Sequence, residues 1–211
     1  QSDCPAREKL GYGGDIVATA ESYLYNYNMH TFYRKAAQDF ANDQRENGAI
    51  TETAPYVGIS DEAPDTESGP LGWQLAYPYL IKQLYNFYGD TSIVSIHYKN
   101  LEKQVQFLTS KSQGDLYFIG LSDHEALDER PIALTASLFY YHHVKLFAEF
   151  AGILNKQETE KEYAGKAEII RQKIIKQFVK EDGQVDNGTQ TAQIFALWYQ
   201  IMEDGEAKDN L

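Results

Sequence analysis

A single cysteine stands among 211 residues, at position 4. An intramolecular disulfide framework and a thiolate metal cage are therefore both excluded. Long apolar runs are missing too: none approaches the roughly eighteen residues that a membrane-crossing helix needs, so no membrane insertion is expected. Basic clusters are absent. The 31 acidic residues outnumber 19 basic ones for a net charge of −12, and no lysine or arginine stripe forms, so nucleic acid is not an expected partner. The first residues lack a basic-plus-apolar signal pattern, which leaves localisation open.

Several chemical signatures are also missing. There is no Gly-x-Ser-x-Gly elbow, and Cys4 has no histidine near it in sequence. Gly11-Tyr12-Gly13-Gly14 is not followed by Lys-Ser or Lys-Thr, as a phosphate loop requires, and no His-Glu-x-x-His occurs. His142 and His143 are adjacent, so on a helix they point about 100 degrees apart and do not readily share one ion. A structural or exposed role is expected for this pair, and no metal or cofactor is expected.

What the chain has in quantity is aromatic: 16 Tyr, 10 Phe and 2 Trp. Rings with polar handles pack in cores or line sites that are wet on one side and apolar on the other. Sugars suit such sites, although core packing is the default for any one ring.

Helical periodicity dominates, and alternating β-branched runs are nearly absent. The pattern predicts an all-α chain of about seven helices: 16–28, 31–47, 71–88, 91–111, 132–154, 158–179 and 190–202. Asp15, Gly48, Gly89 and Asp90 are expected caps, and Pro78 is expected to kink its helix or mark its true start. Apolar residues wrap almost the whole circumference of 132–154. In 158–179 they form one stripe, Ile169, Ile170, Ile174, Ile175 and Phe178. A wrapped helix followed by a striped one suggests inner and outer layers of helical hairpins. No fixed repeat of 34 or 40 residues favours a solenoid, so a toroid is expected. Tight turns near 29–30, 89–90 and 155–157 alternate with long connections at 49–70 and 114–131, which should gather at one end. Both long connections are rich in carboxylates, a rim better suited to a neutral hydroxylated ligand than to an anion.

One segment concentrates reactive residue types: Ser2-Asp3-Cys4-Pro5-Ala6-Arg7-Glu8-Lys9-Leu10-Gly11-Tyr12-Gly13-Gly14-Asp15. Its proline and glycines discourage continuous helix, so Asp3, Glu8 and Asp15 can converge from a loop beside Arg7. Glycosidases need facing carboxyl groups, one to protonate the leaving oxygen and another to activate water or attack. Spacing alone leaves a second reading open, in which Asp3 frays, Glu8 is solvated and Asp15 merely caps a helix.

The string from Asp3 to Tyr12 closely resembles the signature that opens the six-hairpin catalytic domain of bacterial α-L-rhamnosidases, glycoside hydrolase family 78. Gly72-Trp73, Tyr77-Pro78, the run Leu84 to Asp90, Gly120-Leu121-Ser122-Asp123 and Gly188-Thr189-Gln190-Thr191-Ala192 follow in that family's order. The resemblance covers the whole chain. It implies that residues 1–211 form a single domain, the N-terminal portion of an (α/α)6 barrel cut from a longer parent, bacterial and either periplasmic or extracellular.

The resemblance also implies an inverting hydrolase that releases terminal α-L-rhamnose. Glu8 is then the expected general acid. Asp3, Arg7 and Asp15 are expected to hydrogen-bond the sugar, and Trp73 to wall it. The general base, a glutamate in the family, matches nothing here and is expected beyond Leu211. Three positions depart from the family pattern: Tyr12 replaces a tryptophan, Leu75 stands where an aspartate is usual, and His124 replaces the tryptophan of a Gly-Asp-Trp. Tyr12 and His124 retain the ability to stack or hydrogen-bond; Leu75 does not replace a carboxylate. The alternatives are a carbohydrate-binding six-hairpin module without catalysis and a helical interaction scaffold. An incomplete toroid would expose apolar inner-helix surface, so self-association of the isolated chain is expected.

Overall fold

The computed structural model describes residue 4 and residues 6–201. Among the described residues there are eight helices and no strand, only three isolated bridges. The helices are α1 (Gly13–Asn26), α2 (His30–Asp43), α3 (Leu71–Gln74), α4 (Ala76–Tyr88), α5 (Thr91–Lys111), α6 (Ile132–Ile153), α7 (Gln157–Phe178) and α8 (Gln190–Trp198).

Two layers follow from the distribution of apolar residues. Helix α6 buries residues on every side, among them Leu134, Leu138, Tyr141, Val144 and Phe147. It touches α3, α4, α5, α7 and α8. Helix α7 buries only Ala167, Ile170, Ile174 and Phe178. Its stripe is narrower than the sequence predicts, since Ile169 is exposed and Ile175 only partly buried. Helices α1, α4, α6 and α8 contact one another in succession, while α2 covers α4, α5 covers α4 and α6, and α7 covers α6. The chain is thus an arc of inner helices backed by outer ones, with α4 and α6 each covered by the helix that follows it in sequence.

Local chemistry sets the boundaries. Gly89 takes the left-handed conformation (φ 63°) that closes α4, and Asp90 Oδ1 accepts from the Ile93 N–H at 3.2 Å to cap α5, as the sequence predicts. Asp90 also binds Ser92, His30 and Arg34. Burial pushes its carboxyl upward, yet the hydrogen bonds from Ser92, His30, Arg34 and the Ile93 amide outweigh that and hold it well below the usual range. The predicted helix 71–88 is interrupted at Leu75. Pro78 falls in the first turn of α4, where its missing N–H would have no partner anyway. The second helix stops at Asp43, and Gly48 lies beyond it in a turn at φ 97°. Asp15 is not a cap. Helix α1 begins after Tyr12, which puts Asp15 in its first turn, where a carboxylate still favours the helix dipole.

The tight turns leave every long connection at the N-terminal ends of the inner helices, and those connections bind one another. Tyr12 bridges Thr53, the Gly13 N–H donates to the Glu52 carbonyl at 3.0 Å, and the Ala54 N–H donates to Gly11 at 3.0 Å. Asn187 donates to the Glu129 carbonyl at 2.9 Å, and Thr191 donates to Asp123 at 2.5 Å. Gln74, fully buried, locks loop 44–70 to the helices: it donates to Gly69 (2.7 Å) and accepts from the Ile50 amide (3.2 Å).

Candidate active site

The loops surround a cavity of about 630 Å³ between the inner helices. Asp15 and Gly14 on α1, Trp73 on α3 and His124 in loop 112–131 line its loop-side end. Phe139 and His142 of α6, with Phe195 and Trp198 of α8, continue it inward. Mostly apolar walls with a few convergent polar groups are what a small-molecule site requires.

Gly13 and Gly14 make that loop-side end possible. A Cβ on Gly13 would lie 2.1 Å from the Trp73 carbonyl oxygen, and one on Gly14 would lie 2.5 Å from the indole Cε2. Only glycine lets α1 approach α3 this closely, so the indole lies flat against the first turn of α1. The His124 ring stands edge-on to Trp73, with centroids 6.1 Å apart and planes at 85°. His124 is itself largely exposed, with Glu125 3.6 Å away.

The predicted site residues therefore divide into groups. Asp15, Trp73 and His124 share the cavity. Arg7 and Glu8 sit in the turn 6–8, where Arg7 Nη2 lies 2.6 Å from Glu8 Oε1; Arg7 is three-quarters exposed and Glu8 less so. The turn closes through the Arg7 and Lys9 N–H groups, both donating to the Cys4 carbonyl at 3.2 Å. Tyr12 carries the bridge to Thr53 that ties this segment to loop 44–70. Arg7, Glu8 and Tyr12 are not among the cavity-lining residues. Asp3 lies outside the described residues. Leu75 is buried in the cavity wall.

Two features of the site were not singled out from the sequence. Glu52, one of five acids in its loop, is only 4% exposed. Its Oε2 accepts from the Asp61 N–H at 3.0 Å. Burial raises its pKa, the Asp61 charge adds to that, and the Asp61 amide and His124 oppose it. Its backbone carbonyl is the one that receives the Gly13 N–H, so Glu52 supports the start of α1 from beneath. The second feature is the inner part of the cavity, where Glu21, Tyr79, His142 and Tyr199 add polar atoms. Helix α6 is apolar around its whole circumference, so its sequence offers no phase from which to tell which residue faces the ring axis. His143 is the structural member of the histidine pair: it is buried and bonds the Leu71 carbonyl at 3.1 Å. Among the described residues no group of three His, Cys, Asp or Glu side chains could hold a metal ion. No described helix is long and apolar enough to cross a membrane.

All 211 residues match the model of the bacterial alpha-L-rhamnosidase six-hairpin glycosidase domain. The chain belongs to that family. A curated alpha-L-rhamnosidase of Formosa agariphila is 26% identical over 227 residues, covering 98% of this chain and 24% of the relative. The alpha-L-rhamnosidase structure from Dictyoglumus thermophilum superposes with a TM-score of 0.87 at 29% identity, covering 99% of this chain and 24% of that one. The Streptomyces avermitilis alpha-L-rhamnosidase crystallised with L-rhamnose gives a TM-score of 0.87 at 28% identity, covering 99% of this chain and 20% of that one. This chain therefore spans between a fifth and a quarter of those relatives. Within the six-hairpin domain, α1, α4, α6 and α8 are the inner helices and α2, α5 and α7 the outer ones, and the loop-bearing end carries the cavity.

Proposed function

We propose that this chain is the N-terminal portion of the catalytic domain of an inverting α-L-rhamnosidase. The cavity at the loop-bearing end of the inner helices supports the reading most directly, because Asp15, Trp73 and His124 converge there directly after the segment that carries Arg7 and Glu8. In this reading Glu8 protonates the glycosidic oxygen as the bond to the aglycone breaks. Arg7 exchanges its contact with Glu8 for sugar hydroxyls, which leaves the Glu8 carboxyl facing the leaving oxygen. Asp3 and Asp15 hydrogen-bond the sugar, Trp73 forms an apolar wall, and Tyr12 and His124 border the entrance. The general base is a glutamate contributed from outside these 211 residues, across a gap of roughly 6.5–9.5 Å that admits the attacking water.

The test is hydrolysis of an aryl α-L-rhamnoside by the full-length protein, followed by NMR of the anomeric proton. The expected first product is β-L-rhamnose. Release of the α-anomer would overturn inversion; saturable rhamnose binding by calorimetry without hydrolysis would favour a binding module instead, a reading to which Leu75 lends support. The isolated chain should be inactive and should associate. Ile194, Leu197 and Trp198 on α8 and Tyr25 on α1, at the two ends of the arc, are 52%, 41%, 73% and 76% exposed, an apolar surface that favours contact. Light scattering should give a mass well above 24.0 kDa, and a monodisperse, active monomer would contradict this.

A further inference from the structure

His142 differs from its neighbour in what its ring nitrogens meet. His143 bonds the Leu71 carbonyl. His142 Nδ1 is sealed from solvent with no hydrogen-bond partner among the described residues, while the ring lines the cavity edge-to-face with Tyr199, centroids 5.2 Å apart. Its Nε2 makes no hydrogen bond to a described protein group and is not among the sealed atoms, so it opens on the cavity. Desolvation, reinforced by His143 and Lys145, keeps this imidazole neutral, with a pKa lowered to about 3.

A neutral imidazole carries one ring proton, and its position follows from the surroundings. Orphaned buried N–H groups are rarer than orphaned acceptors, and Nδ1 has no acceptor to receive a proton. The proton therefore resides on Nε2, which makes His142 a donor aimed into the cavity. It lies in the third turn of α6, whereas Asp15 and Trp73 belong to the first turns of their helices. Glu21 of α1 lines the same cavity, and Gln83 Nε2 donates to its Oε1 at 3.3 Å.

We propose that His142 is a specificity-determining residue whose Nε2–H donates to a sugar hydroxyl oxygen at the end of the ring remote from the scissile bond. Placing the sugar in this way rests on the proposed rhamnosidase function, since the Glu8 segment borders the loop-side end and the inner part of the cavity then receives the far side of the terminal residue.

The test uses the full-length protein and two variants. His142→Phe keeps an aromatic ring and removes the donor; His142→Gln keeps a donor. For an aryl α-L-rhamnoside, His142→Phe should raise KM roughly tenfold, about the net worth of one hydrogen bond, with kcat changed far less. His142→Gln should recover most of that loss. On the deoxy analogue lacking the partner hydroxyl, His142→Phe should cost nothing further. KM within twofold of wild type, or Gln no better than Phe, would overturn the proposal, and equal loss in both variants with lowered urea midpoints would mark His142 as structural. Nitrogen-15 spectra of the ring supply a readout independent of turnover: Nε2 protonated, with its signal shifting on addition of L-rhamnose. If the wild-type protein hydrolyses no rhamnoside, the function reading fails by itself. His142 is then judged on its ring signal against a panel of monosaccharides, and an Nδ1–H tautomer or a signal that no sugar moves would overturn it.

Discussion

Lowering the pH from 7 to 4.5 should destabilise the folded arc by about 5 kcal/mol, through two buried histidines. His97 and His143 are 2% and 3% exposed. Burial lowers both from 6.5 to about 4; the Arg34 charge adds to the shift at His97, and the Leu71 carbonyl opposes it at His143. Tyr77 Oη lies 2.8 Å from His97 Nδ1 and fixes that ring. Each ring stays neutral in the folded chain and gains a proton on unfolding. Their contribution is therefore complete above pH 6.5 and is lost as the pH falls toward 4, at about 1.4 kcal/mol per unit for each ring. His142, lowered to about 3 by desolvation with His143 and Lys145 adding to the shift, acts in the same direction and deepens the decline. Glu52, whose pKa is raised by burial, works in the opposite direction. Asp90 weakens the fold only at still lower pH, because its carboxyl is held below the usual range. Urea unfolding followed by circular dichroism at pH 7.0, 5.5 and 4.5, at one protein concentration, should show the decline, and His143→Gln should remove about a third of its slope. Equal midpoints at all three pH values would show that the rings are not the source.

The second large effect concerns Glu8→Gln in the full-length protein. A general acid contributes roughly 10²- to 10⁴-fold in rate, but only in proportion to the leaving oxygen's need for a proton. A nitrophenolate departs unaided far more easily than a sugar alkoxide. The variant should therefore lose roughly 10³-fold or more on a disaccharide, and much less on nitrophenyl rhamnoside. Equal losses on both substrates would point to binding rather than proton transfer. Unchanged turnover of the disaccharide would remove Glu8 from the mechanism.

The layered helices were legible in the sequence because burial leaves a direct record: α6 is apolar all round and α7 is striped. Boundaries were less legible where tertiary contact overrides local preference. Asp15 looks like a cap, but Gly13 and Gly14 let the helix start earlier by admitting Trp73 against their bare Cα atoms. The loop-side end of the cavity could be approached from Trp73 and His124, which stand at the positions that resemblance to a family marks. The inner part could not, since one sequence does not say which side of a wrapped helix faces the ring axis, nor that Glu52 alone among its loop's acids is buried.

The order in which helices pair has a consequence for how the chain acquires its structure. Helix α6 makes its most extensive contacts with α7, the segment synthesised directly after it across a three-residue turn, and α4 is followed by its cover α5 in the same way. Such local pairing carries low contact order and favours rapid formation. A chain emerging from the ribosome can therefore lay down one finished hairpin at a time, each exposing a fresh apolar flank that templates the next. Among the described residues Ile194, Leu197 and Trp198 of α8 stay exposed, so the last hairpin element in this order still presents the kind of apolar flank on which the earlier ones were laid down.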